Sequence, residues 1–79
     1  MREYEIGAIV RFHRQKAGLT QVQLADLAGV GKTAVFDIEK NKASVQCDTV
    51  RKVLHALNIT LSFTSPLMKE YEENAKSQG

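Results

Sequence analysis

Between Leu19 and Lys40 the chain reads LTQVQLADLAGVGKTAVFDIEK, two short apolar-periodic segments separated by Gly29-Val30-Gly31. Few local structures satisfy such a stretch. Thr20 is a good helix N-cap, and Gln23 three residues later completes a capping-box pattern, so a helix is expected to open there. Leu24, Leu27 and Ala28 are read as turned inward. Gly29 ends this helix, because glycine accepts the positive φ of a tight turn, and Val30 supplies an apolar plug beneath it. A second helix is expected over roughly residues 32–39, with Val35 and Ile38 inward. Ala25 and Ala28 are small where two helices joined by so short a turn must cross.

The flanking sequence supplies more helices. Ile6, Ile9, Val10, His13 and Ala17 recur at helical spacing over residues 5–17, and Gly18 follows as a left-handed C-terminal cap. Arg11, Arg14, Gln15 and Lys16 fall mostly on other faces. Lys40, Asn41 and Lys42 read as a polar loop, with Asn41 the best non-glycine candidate for a left-handed position. Cys47, Val50, Val53, Leu54 and Leu57 form the clearest stripe, a helix over about residues 47–57 that ends at Asn58. Beyond it Ile59, Leu61 and Phe63 alternate with Thr60, Ser62 and Thr64, the period-2 pattern of a short strand. Ser65-Pro66 breaks that strand. Residues 67–76 suit either a polar helical turn or two around Leu67, Met68 and Tyr71, or no order. The expected organisation is one domain over residues 1–64, with residues 65–79 as a C-terminal tail.

A chain of 79 residues builds one small domain with a thin core, the kind that often gains stability by self-association. Net charge is +2, modest for a nucleic-acid binder. Its distribution is more informative. Residues 65–79 carry Lys69 and Lys76 against Glu70, Glu72 and Glu73, a net −1, which leaves +3 on residues 1–64. Cys47 is the single cysteine, so no internal disulfide forms. His13 and His55 stand alone, and no Cys/His cluster has metal-ligand spacing. Cys47, on a core stripe, reads as a small hydrophobe. No apolar run is long enough to cross a membrane. Arg2, Glu3, Tyr4 and Glu5 do not make a signal peptide, and a cytoplasmic location is expected. No nucleophile–base pair, carboxylate pair or metal cluster suggests an enzyme, and no cofactor is expected. Gly29-Val30-Gly31-Lys32-Thr33 ends like a phosphate-binding loop, but Asp26 stands where the first glycine belongs and no strand precedes it.

Taken together, residues 20–39 have the geometry of a helix-turn-helix, whose second helix enters the major groove of DNA. The segment resembles the phage-repressor, or XRE, family, whose pattern appears here as Arg14, Leu19-Thr20-Gln21, Leu24-Ala25, Gly29-Val30-Gly31 and Val35-Phe36-Asp37-Ile38-Glu39. The resemblance covers residues 6–57. It implies an all-α, four- to five-helix lambda-repressor-like DNA-binding domain. Gly31 departs from the pattern, which prefers Ser or Thr there, and so removes a side-chain cap and a phosphate contact. The run VQCDTVRKVLHALNITLSF is similar to the ending of HipB-type antitoxins, which implies that strand 59–63 pairs with its twin in a homodimer. Exposed backbone groups and the apolar Ile59, Leu61 and Phe63 give such pairing a physical motive.

The resemblance makes Gln21, at the start of its helix, a phosphate clamp, in keeping with the helix dipole. Lys32, Thr33, Phe36 and Asp37 lie on the outer face of the second helix, where base readers belong. Lys32 suits guanine, Thr33 a hydroxyl contact or a thymine methyl, Asp37 cytosine N4, and Phe36 a thymine methyl or a sugar edge. Phe36 also reads as a core residue rotated inward. Lys40 and Lys42 suit phosphates, or are solvated loop charges. In relatives the residues matching Arg14 and Glu39 form an ion pair bracing the fold. The implied function is a sequence-specific repressor that binds a palindromic operator as a homodimer. Within that class the expectation is an antitoxin that autoregulates its operon and binds a HipA-type kinase toxin. The alternatives are a stand-alone phage or restriction-controller regulator, and a protein-interaction module without DNA binding.

Overall fold

The computed structural model describes residues 5–78. Arg2, Glu3 and Tyr4, on which the expectation about a signal peptide draws, lie outside them. Five helices follow in order: α1 (Ile6–Lys16), α2 (Gln21–Ala28), α3 (Lys32–Glu39), α4 (Cys47–Ala56) and α5 (Met68–Gln78). No described helix is long and apolar enough to cross a membrane.

The helix ends explain how so short a chain makes sharp reversals. At α2 the capping box is complete: Gln23 N–H donates to Thr20 Oγ1 at 3.0 Å and Thr20 N–H to Gln23 Oε1 at 2.8 Å. Gly18, Gly29, Asn41 and Asn58 all adopt positive φ, between 59° and 73°. The residue after each donates its N–H five residues back, to Arg14, Ala25, Asp37 and Leu54, at 2.9–3.1 Å. This is the Schellman closure that satisfies orphan carbonyls. Three of those following residues, Leu19, Val30 and Ile59, are apolar and pack against the core, so each turn is pinned from below.

The core is Val10, Leu24, Ala25, Val35, Ile38, Val53 and Leu54, drawn from α1 to α4. α2 packs on α3 and on α4, and α1 on α3. Gly7 makes the last approach possible. A Cβ built there falls 2.5 Å from the Ile38 carbonyl oxygen and 2.7 Å from that of Glu39. The Gly7 N–H, left without an intrahelical partner in the first turn of α1, donates to Asn41 Oδ1 at 2.9 Å. Asn41 Nδ2 in turn donates to Glu5 Oε2 at 2.8 Å.

Four expectations are corrected. Leu27 is 62% exposed rather than inward. With about 100° per residue, Ala25 and Ala28 fall on one side of Leu24 and Leu27 on the other. His13 and Ala17 are exposed, because α1 buries only the narrow stripe through Gly7 and Val10. His13 Nδ1 instead lies 2.7 Å from the Ile9 carbonyl oxygen. Cys47 is exposed at the first position of α4, whose burial begins a turn later and is complete only at Val53 and Leu54. Finally, residues 59–65 form no strand in the single chain, because the surrounding helices present no free edge for a ladder. Ile59 is spent on its own core, while Leu61 and Phe63 are 52% and 72% exposed.

Residues 65–79 contain α5, longer than a turn or two. Met68 N–H donates to the Ser65 carbonyl at 3.2 Å to start it, and Glu70 and Lys76 sit at the ends their charges favour. Leu67 and Tyr71 remain exposed. The Cα radius of gyration, 15.0 Å, exceeds the ~12 Å of a compact chain of this length. α5 has no extended packing on the other helices and accounts for the elongation.

Candidate nucleic-acid interface

The outer side of α3 carries two parallel rows set by helical geometry. Lys32, Phe36 and Lys40 recur at i, i+4 and i+8; Thr33 and Asp37 form the adjacent row. Lys32 and Thr33 are exposed in the first turn. Gly31 caps that turn in extended conformation, φ −73° and ψ 152°, without a side-chain bond. Phe36 is 42% exposed, so the inward alternative does not hold. The Lys40 ammonium lies 4.5 Å from its ring centroid, within cation–π range. Asn41 turns the chain so that Lys42 returns along α3. Its N–H donates to the Asp37 carbonyl at 3.0 Å and its Nζ lies 3.9 Å from Asp37 Oδ2. The single acid of this face is therefore partly neutralised by a neighbouring cation.

Behind α3 stands a polar bracket. Arg14 grips Glu39 through two bonds, Nε to Oε2 at 2.6 Å and Nη2 to Oε1 at 3.0 Å, and Nη1 donates to the Leu19 carbonyl at 2.9 Å. Gln21 Nε2 donates to Glu39 Oε1 at 3.3 Å. One carboxylate thus ties α1 and the start of α2 to the end of α3, and Arg14 adds the α1–α2 turn. The side chains are 13% and 5% exposed for Arg14 and Glu39. Bonding to Glu39 raises the Arg14 pKa above its ordinary value, against the opposing effect of desolvation. Gln21 keeps a second amide hydrogen and its carbonyl oxygen for another partner.

An open cavity of about 230 Å³ lies over this bracket, lined by Arg11, Arg14, Gln21, Phe36, Glu39 and Lys40. The structure thereby joins Gln21, Phe36 and Lys40 in one place and adds Arg11, which the sequence pattern left on an unassigned face. Lys32, Thr33, Asp37 and Lys42 share the α3 side of the molecule without lining the cavity. Ile59, Leu61 and Phe63 lie elsewhere, with Arg51, Leu54 and His55 around a second cavity of about 210 Å³. Among the described residues no group of His, Cys, Asp and Glu is placed to hold a metal ion.

A helix-turn-helix family model matches residues 10–63, from the middle of α1 past the end of α4. The chain belongs to the helix-turn-helix family. An uncharacterized HTH-type transcriptional regulator, y4mF, of Sinorhizobium fredii is 37% identical over 62 residues, covering 78% of this chain and 82% of that protein. A second uncharacterized HTH-type transcriptional regulator, from Haemophilus influenzae, is 41% identical over 49 residues, and the match spans half of that protein's length. Among solved structures, a chain of the HipA-HipB-O2-O3 complex superposes with a TM-score of 0.72 at 22% identity, covering 84% of this chain and 97% of that one. The HipB-O4 20mer complex contains a similar chain, with a TM-score of 0.71 at the same identity and the same coverage. At that identity the likeness establishes a common fold.

Proposed function

We propose that this helix-turn-helix regulator is a dimeric, sequence-specific repressor of the HipB type, an antitoxin that controls its own operon and binds a HipA-type kinase toxin. The outer face of α3 carries the reading: Lys32, Thr33, Phe36 and Asp37 stand on the solvent side of a helix whose end is bonded to α1 through the Arg14–Glu39 pair. Lys32, Thr33 and Asp37 supply the donors and acceptor for base edges, while Lys40 and Lys42 supply positive charge for phosphates. Pairing of Asp37 with Lys42 in the free chain lowers the repulsion an acid would otherwise offer to a phosphate backbone. Dimerisation through residues 59–63 is supported by the exposed Leu61 and Phe63 and by the absence of any ladder partner among the described residues. A two-fold dimer matches a palindromic operator with half-sites about one helical turn apart. The antitoxin role rests on the shared fold with chains of HipB complexes.

Gel retardation of the DNA upstream of this chain's own gene is expected at ~50 mM salt and is expected to weaken steeply by ~200 mM, since released counterions drive such binding. Absence of a shift at the lower salt overturns the repressor reading. A gene for a kinase-like protein is expected beside this one, and co-expression of the two is expected to yield a stable complex. DNA binding without such a complex identifies a stand-alone regulator instead.

A further inference from the structure

The cavity over the bracket holds three cations and one carboxylate. That carboxylate, Glu39, is already engaged by two bonds from Arg14 and one from Gln21. Arg11 and Lys40 are left at the same opening, and among the described residues neither pairs with an acid. They approach it from different elements, Arg11 from α1 and Lys40 from the end of α3. The Phe36 ring forms a wall, with the Lys40 ammonium drawn over its face at 4.5 Å. Two unneutralised cations beside an aromatic wall form a site for an anion whose ester arms are apolar. We infer that Arg11 and Lys40 clamp one phosphodiester of the DNA backbone, and that Phe36 holds Lys40 in place for it.

This inference rests on the DNA-binding reading and changes the role of Phe36 within it. A base reader and a holder of a phosphate ligand differ in what their loss does. Loss of a base contact lowers affinity for the operator and spares unrelated DNA. Loss of a phosphate contact weakens both by the same factor and reduces the salt slope by about one. Arg11 is exposed and outside the core, so its substitution leaves folding intact.

The test compares wild type, Arg11→Ala, Arg11→Lys, Phe36→Leu, Lys40→Ala and the Phe36→Leu/Lys40→Ala pair. Each binds the upstream fragment and a mixed-sequence duplex over a range of salt. Arg11→Ala is expected to weaken both complexes about tenfold at ~100 mM salt and to lower the salt slope by about one per subunit. Arg11→Lys is expected to restore most of the slope. Phe36→Leu is expected to lower both affinities equally and to add nothing to Lys40→Ala. An unchanged slope in Arg11→Ala, or a loss in Phe36→Leu confined to the upstream fragment, overturns the clamp while leaving the regulator reading intact. Failure of wild type to bind either duplex overturns both.

Discussion

Glu39 joins the end of α3 to both α1 and the start of α2. It accepts two bonds from Arg14 and one from Gln21, and only 5% of it reaches solvent. Removing it strands a guanidinium that has lost most of its hydration, which costs more than the pair itself contributes. Glu39→Ala is expected to destabilise the fold by about 2–4 kcal/mol, a fall of roughly 10 °C or more in Tm for a domain of this size. Thermal unfolding followed by circular dichroism measures it, and an unchanged Tm sinks the bracing role. Replacing both partners by apolar residues of similar volume is expected to cost much less, because no charge is then left unpaired.

At the scale of elements, the body is held by helix ends as much as by helix faces. Four reversals use one device, a left-handed residue followed by a bond five residues back, and three of them anchor an apolar residue in the core. The α1–α3 contact uses a different device, a glycine that lets backbone meet backbone. In an open helix Gly→Ala stabilises by up to about 1 kcal/mol. At Gly7 the added methyl meets two carbonyl oxygens closer than any ordinary contact, at 2.5 and 2.7 Å. Steric cost of about 1–3 kcal/mol is expected to exceed the propensity gain. Urea denaturation of Gly7→Ala is therefore expected to show a lower midpoint at unchanged slope; a midpoint equal to or above wild type contradicts the close packing.

At the scale of the molecule, the chain divides into a packed body of α1–α4 and an elongated C-terminal arm, with Leu61, Phe63, Leu67 and Tyr71 exposed along it. Exposed apolar residues this closely spaced invite a second chain. Wild type is expected to sediment as a dimer, and the double variant Leu61→Lys/Phe63→Lys to keep its helical spectrum and sediment as a monomer. Operator affinity is expected to fall by on the order of a hundredfold, because two half-sites are then no longer engaged together. Ile59 is unsuited to this experiment, since it packs on its own core.

The sequence by itself was enough to place α1 to α4, the capping box at Thr20, the left-handed turns at Gly18, Gly29 and Asn41, and the outer row of α3. These depend on local backbone geometry and on periods of 3.6 residues, which neighbours along the chain impose. Tertiary structure decided what depends on where the helices meet. It turned Leu27, His13 and Cys47 outward, since an apolar stripe is buried only where another helix lies against it. It showed why an isolated glycine stands inside α1, a signal visible in the sequence whose cause is a contact with residues more than thirty positions away. It brought Arg11 to the same opening as Phe36 and Lys40, a neighbourhood that no spacing along the chain encodes. The strand at 59–63 shows the same division at the level of assembly. Its alternation is local, but a ladder needs a second edge, and the helices of the described residues offer none.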